Sequence, residues 1–93
     1  MVVISPSAEV DIEGITSEIA SNSRDAAAKW IDGIRSIFEM LDSHADVGEH
    51  RSEFSVRGCR SFTFGRYVIF FHRVTNGVEI ARVIHGNRDL GNI

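Results

Sequence analysis

A guanidinium is the group through which this chain is best equipped to act. It is planar, permanently charged and forked, so it grips a carboxylate or phosphate through two parallel hydrogen bonds, where an ammonium offers only a point charge. Nine of the ten basic residues are arginine. They are unevenly placed: residues 51–93 hold seven arginines against three acids, a net +4, while residues 1–50 hold Arg24, Lys29 and Arg35 against ten acids, a net −7, within an overall charge of −3. The C-terminal half is therefore the half that suits an anionic partner, although arginines on strands also protect sheet edges. The other reactive residue types say less. Cys59 is the one cysteine, so no internal disulfide can form, a reducing compartment is expected, and without a clustered histidine and acid it signals neither nucleophile nor metal. His44 and His50 lack ligand spacing to it and are expected to be solvated, so no cofactor or metal is implied.

Strands must position these side chains. Tyr67 to Gly86, YVIFFHRVTNGVEIARVIHG, reads as two long strands joined by a tight turn at Asn76-Gly77, a dipeptide that tolerates the positive φ a two-residue type I′ loop requires. That loop would pair Thr75 with Val78, and hence Phe71 with Arg82, Phe70 with Val83, Ile69 with Ile84 and Val68 with His85. Gly65-Arg66 fits a second tight turn, pairing Phe64 with Tyr67, Phe62 with Ile69 and Arg60 with Phe71. One face of the resulting meander would carry Arg60, Phe62, Phe64, Tyr67, Ile69, Phe71, Arg73, Ile80, Arg82 and Ile84. The other would carry Cys59, Ser61, Thr63, Val68, Phe70, His72, Val74, Glu79, Ala81, Val83 and His85. His72 is then expected between Cys59 and Ala81 as a part-buried, hydrogen-bonded histidine.

Upstream, Val2-Val3-Ile4 is too short for a helix and is expected to add a strand. Ser5 can cap a helix with Pro6 in its first turn; Ala8, Ile12, Ile15 and Ile19 then make its inner stripe, with Glu9, Asp11, Glu13 and Glu18 turned away, and Asn22 closes it. Ser23 opens a second helix whose stripe is Ala27, Trp30, Ile31, Ile34, Phe38 and Leu41, and the short connection forces an antiparallel hairpin. Gly33 inside it suggests close approach of a neighbouring element. Asp42 to His50 reads as a loop, and Arg51 to Val56 as a further strand, bent at Gly58.

The expected architecture is thus α+β: an N-terminal strand and a helical hairpin packed on one face of a mainly antiparallel four- to five-stranded sheet, in a single domain spanning residues 1–93. No apolar run reaches membrane length and MVVISPS is not a secretion signal, so a cytoplasmic location with no membrane contact is expected. Both faces of the sheet carry apolar bulk, yet two helices cover only one. If they take the side of Phe62, Ile69, Phe71 and Ile84, then Val68, Phe70, Val74 and Val83 stay open, and an apolar patch of that kind marks a binding surface.

The order of elements, Trp30, Arg60-Ser61-Phe62, Gly65 to Phe71 and above all Val78-Glu79-Ile80-Ala81-Arg82-Val83-Ile84-His85-Gly86-Asn87-Arg88-Asp89 resemble the ParE/RelE superfamily of toxins from type II toxin–antitoxin modules, the ParE branch most closely. The resemblance implies a toxin held inactive in a hetero-oligomer by a cognate antitoxin, with Val68, Phe70, Val74, Val83, Arg60 and Arg73 as the antitoxin-binding set. It also implies one of two activities. A ParE-like toxin binds DNA gyrase and stabilises cleaved DNA without chemistry of its own, with Arg82, His85 and Arg88 as target contacts. A RelE-like toxin is an endoribonuclease cutting mRNA on the ribosome; it needs a proton acceptor, a proton donor and cations on the phosphate, and the resemblance gives His85 and Arg88 positions matching its catalytic groups, with Arg82 and Arg60 able to hold phosphate. The basic half contains no lysine, and no tyrosine follows Tyr67. That thin catalytic complement favours the gyrase reading.

Overall fold

The computed structural model describes residues 1–54 and 57–86. The chain runs β1 (Val2–Ile4), α1 (Pro6–Asn22), α2 (Arg24–Ser43), β2 (Glu49–His50), β3 (Arg60–Phe64), β4 (Tyr67–Val74) and β5 (Gly77–His85). The sheet has five strands in the order β1-β5-β4-β3-β2. Only β1 and β5 run parallel; the other neighbours are antiparallel. This is the expected α+β architecture, two helices laid on a mixed five-stranded sheet.

Both helix starts follow from their caps. Ser5 accepts the Ala8 N–H at 3.0 Å through its hydroxyl, and Ser23 does the same for Ala26 at 3.1 Å. Ser23 also donates its backbone N–H to the Ile19 carbonyl, so one residue ends α1 and begins α2. The hairpin connection is that single serine, shorter than the sequence suggested. Ala8, Ile34, Phe38 and Leu41 then pack against Ile69, Phe71, Val78, Ile80 and Val83 of the sheet to form the principal core. Gly33 permits this approach: a Cβ there would lie 2.8 Å from Cζ of Phe64.

Three expectations about register and cover are corrected. The β3–β4 pairing is as expected, Phe64 with Tyr67, Phe62 with Ile69 and Arg60 with Phe71. The β4–β5 turn is not. Val74 pairs with Gly77 and His72 with Glu79, so the two loop residues are Thr75 and Asn76, of which Asn76 has φ 69°. Gly77 belongs to the strand because β1 passes against it: a Cβ would collide with the carbonyl oxygen of Met1, which accepts the Val78 N–H. The Met1 ammonium in turn lies 2.8 Å from both an Asp42 carboxylate oxygen and the Asn76 carbonyl. A bulge then follows between Phe70 and Phe71, whose partners are Arg82 and Ile80, leaving Ala81 as the extra residue. One extra residue exchanges the faces beyond it. Val83 therefore joins the core under the helices, and Ile84, not Val83, joins Val68 and Phe70 on the opposite side.

That opposite side is not open. Cys59, Val68, Phe70 and Ile84 are 4, 9, 2 and 4% exposed. Phe54 stands edge-on to Phe70, with ring centroids 5.2 Å apart. Over residues 51–54, the described part of the expected strand, the chain instead follows β2 at 49–50 with a turn that crosses this face. Arg51 fixes the turn by donating its backbone N–H to the Cys59 carbonyl at 2.8 Å and its Nε–H to the Ser61 hydroxyl at 2.9 Å. Val56 falls outside the described residues.

Candidate functional site

The residues singled out by sequence separate into three places. Arg60 and Arg73 lie toward the end of the sheet that holds the β4–β5 turn. Arg73 is exposed and pairs with Asp46 at 2.9 Å, and the Arg60 guanidinium reaches the Gly48 carbonyl at 3.5 Å. Val68 and Phe70 are sealed beneath Phe54, and Val74 sits half-buried beside the turn, so the apolar antitoxin set is not the open patch expected of it. Val83 and His85 meet at the far end of β5. Arg88 lies outside the described residues.

That far end is where the molecule has a cleft. Its volume is about 290 Å³, and it runs between α1 and the last residues of β5, lined by Val10, Asp11, Gly14, Ile15, Glu18, Tyr67, Val83, Ile84 and His85. The sequence explains why it forms. β1 is three residues long and pairs only with Val78, Glu79 and Ile80, after which Pro6 turns the chain into α1. Beyond Ile80, no strand among the described residues lies on that side of β5. Ser5 donates its hydroxyl to the Ala81 carbonyl at 2.8 Å, and α1 supplies the next contact.

This contact is Asp11, the best-connected carboxylate of the site. It accepts Nε–H and Nη2–H of Arg82 at 2.7 and 3.0 Å and the backbone N–H of Val83 at 3.0 Å. The bond to Asp11 raises the Arg82 guanidinium above its ordinary value, so its charge is permanent. Asp11 was expected to face solvent with the other acids of α1. Its spacing gave the contrary signal, since it lies three residues after Ala8 and four before Ile15, on the flank of the inner stripe. Arg82, expected to meet the target, turns its fork onto this carboxylate and leaves about a third of its side chain exposed.

The cleft wall on the sheet side is aromatic. His85 lies edge-on to Tyr67, with centroids 5.4 Å apart, and Tyr67 meets Trp30 edge-on at the same separation. Trp30 also contacts Phe64 at 6.2 Å, which confirms it as core. On the α1 side, Val10 is 69% exposed, and a Cβ built on Gly14 would meet nothing within 4 Å. Sequence reading missed Val10, Gly14 and Glu18, because a binding groove needs no periodic signature of its own. Among the described residues no group of three or more histidines, cysteines or acids is placed to hold a metal ion. Among them, too, no helix is long and apolar enough to cross a membrane.

Comparison with known proteins agrees with this architecture. The chromosomal ParDE TA system from P. aeruginosa contains a chain that superposes with a TM-score of 0.73 over 90% of this chain and 92% of its own, at 20% identity, a likeness of fold. A search of curated proteins gives no match. A family model described as the ParE toxin of type II toxin–antitoxin system, parDE, matches residues 2–90, nearly the whole sequence. The chain belongs to the ParE toxin family of type II toxin–antitoxin systems.

Proposed function

We propose that this ParE toxin poisons DNA gyrase in the cytoplasm, and that its cognate antitoxin neutralises it by forming a hetero-oligomer. The observation that carries the choice of gyrase over the ribosome is the Asp11–Arg82 clamp. In-line cleavage of RNA through a 2′-hydroxyl needs a cation free to receive the charge that develops on the phosphate. Arg82, the arginine of β5 beside His85, spends its fork on Asp11 at 2.7 and 3.0 Å. Arg60 lies two strands away from β5 and is placed for a different surface. A toxin that works by binding needs shape and charge rather than a proton relay, and family membership supports the same reading.

The test uses the purified full chain in two assays. With gyrase, ATP and supercoiled plasmid, protein digestion after the reaction is expected to release linear DNA in proportion to the toxin added. In a translating extract with labelled mRNA, no new ribosome-dependent cuts are expected. Cuts in the mRNA without linear DNA would replace this reading with the endoribonuclease one. His85→Ala sharpens the contrast, since a nuclease using it as a base loses orders of magnitude in rate, while a binding poison keeps most of its potency.

A further inference from the structure

Asn76 and Gly77 each answer a demand that few residues meet. Asn76 stands in the left-handed region, with φ 69°, which asparagine tolerates and most side chains do not. Gly77 follows it because the Met1 carbonyl oxygen and an Asp42 carboxylate oxygen take the space of a Cβ. Two unrelated requirements, a turn and a close passage, thus place an Asn-Gly dipeptide at an exposed loop. That dipeptide has a chemistry of its own. The backbone nitrogen of the following residue can attack the asparagine side-chain carbonyl, and glycine offers that attack the least obstruction and the freest backbone.

The other described asparagine is not so placed. Asn22 ends α1, and the nitrogen that would have to attack it, that of Ser23, donates to the Ile19 carbonyl. Gly77 is paired as well, with Val74, but theirs is the last pair of the β4–β5 ladder, and only Thr75 and Asn76 lie beyond it. On its other side Gly77 adjoins Met1, which leaves 68% of its surface in water, and the three-residue β1. A terminal pair in such exposed surroundings opens far more often than the whole molecule unfolds.

We propose that Asn76 is a self-modification site, converted to isoaspartate when the Val74–Gly77 pair opens. The Gly77 nitrogen bonds to Cγ of Asn76, its proton and the side-chain amino group leave together as ammonia, and a five-membered imide closes. Water then opens the ring. Addition at Cγ gives aspartate, and addition at the former main-chain carbonyl gives isoaspartate; water is the one co-reactant, and nothing is oxidised or reduced. Isoaspartate routes the chain through Cβ and so adds a backbone carbon directly before Gly77, beside a corner that has no room for one. That product disturbs the passage of β1 along β5, whereas the aspartate product keeps the chain length and fits. The reaction is independent of the toxin's target and of its antitoxin.

The test ages the purified full chain at neutral pH, with peptide mapping and labelling by an isoaspartate methyltransferase. Acid is expected at Asn76 ahead of Asn22, isoaspartate forming the larger share, about ten- to a hundredfold more slowly than in a short peptide of the same sequence because the closed pair withholds the nitrogen. The aged protein is expected to melt about 4–8 °C lower. Asn76→Gly, which keeps the left-handed turn and has no amide to lose, should keep its melting temperature through the same ageing. Asn76→Asp, which adds the charge without lengthening the chain, should melt within a few degrees of the unsubstituted protein. An Asn76 that stays an amide until urea unfolds the chain would overturn the proposal, and so would isoaspartate at Asn76 with no change in melting temperature.

Discussion

Removal of Asp11 tests whether the arginine of β5 is held for structure or kept for the target. The carboxylate is 14% exposed and Arg82 32%, and three hydrogen bonds converge on it, two from the guanidinium and one from the Val83 N–H. Deleting one partner of a buried ion pair costs about 3–5 kcal/mol, since the other charge stays behind without its counterion. Here about a third of the arginine already meets water, which recovers part of that loss, so Asp11→Ala is expected to lose about 2–3 kcal/mol. Arg82→Ala leaves Asp11 its bond to Val83 and should lose about 1–2 kcal/mol. At ~4–8 °C per kcal/mol for a domain of this size, Asp11→Ala should lower the melting temperature by about 10–20 °C. Urea titrations of the two single variants and the double variant form a cycle, in which a coupling of about 1–2 kcal/mol is expected. Single effects that simply add, to within about 0.5 kcal/mol, would show that the pair is not a unit. The activity arm is equally decisive. Once corrected for unfolded protein, gyrase poisoning by Arg82→Ala should be close to that of the unsubstituted chain. Its outright loss in a well-folded variant would return Arg82 to the target interface.

The two helix glycines should respond in opposite directions. Gly14→Ala enters open space and should raise stability by about 0.5–1 kcal/mol, read by thermal melting. Gly33→Val drives its side chain into the Phe64 ring and should lose about 1–3 kcal/mol. Phe54→Ala strips the cover from Phe70 and Val68; the exposed face should bind a hydrophobic dye, with a loss of about 1–2 kcal/mol for a half-buried ring. Burial pushes the Cys59 thiol above its ordinary value of 9.0. The thiol is held neutral in the fold and ionises more readily once unfolded, so its contribution is intact below pH 9 and falls away as pH rises through the raised value. Alkylation by iodoacetamide at pH 8 should therefore proceed no faster than unfolding exposes the thiol, which mass spectrometry can follow.

Where local chemistry decides the structure, the residues announced it. Ser5 with Pro6, the Ser23 cap and the Gly65-Arg66 turn each depend on two or three neighbours, and each lies where the spacing placed it. The β4–β5 hairpin went astray because two residues competed for glycine's special properties. Asn76 took the positive φ, and Gly77 was needed for the passage of Met1, a partner 76 positions earlier that no local rule could supply. The bulge at Ala81 has a similar cause, for its carbonyl is held by Ser5 at the far end of the chain. A one-residue slip then moved Val83 inward and Ile84 outward. The cover over Phe70 was misjudged because the alternating pattern of Arg51 to Val56 suits a strand, whereas the backbone at 51–54 is drawn over the sheet by Arg51.

The charge division also has a different meaning in three dimensions. Read along the sequence, an acidic first half and a basic second half suggest a molecule with cationic surface to offer. In the fold, acids of the first half reach across to the arginines of the second: Asp11 to Arg82, Asp46 to Arg73, and Glu49, helped by Glu53, to Arg51. Much of the positive charge is thereby used in tying the sheet to the helices and loops around it. Arg57, Arg60 and Arg66 are the described arginines of the basic half that no ion pair holds. On the helix layer, Glu9, Glu13 and Glu18 keep their charge facing water, with no cation in α1 to answer them. A partner that approaches α1 therefore meets a negative surface with a valine and a cleft in it. One that approaches the loop side of the sheet meets Arg57 and Arg60, while Arg66, in the β3–β4 turn, lies beside Gly86 at the cleft end. Charges so divided between exposed groups and a part-buried pair predict that raising ionic strength weakens contact with a charged partner while leaving the Asp11–Arg82 clamp largely untouched.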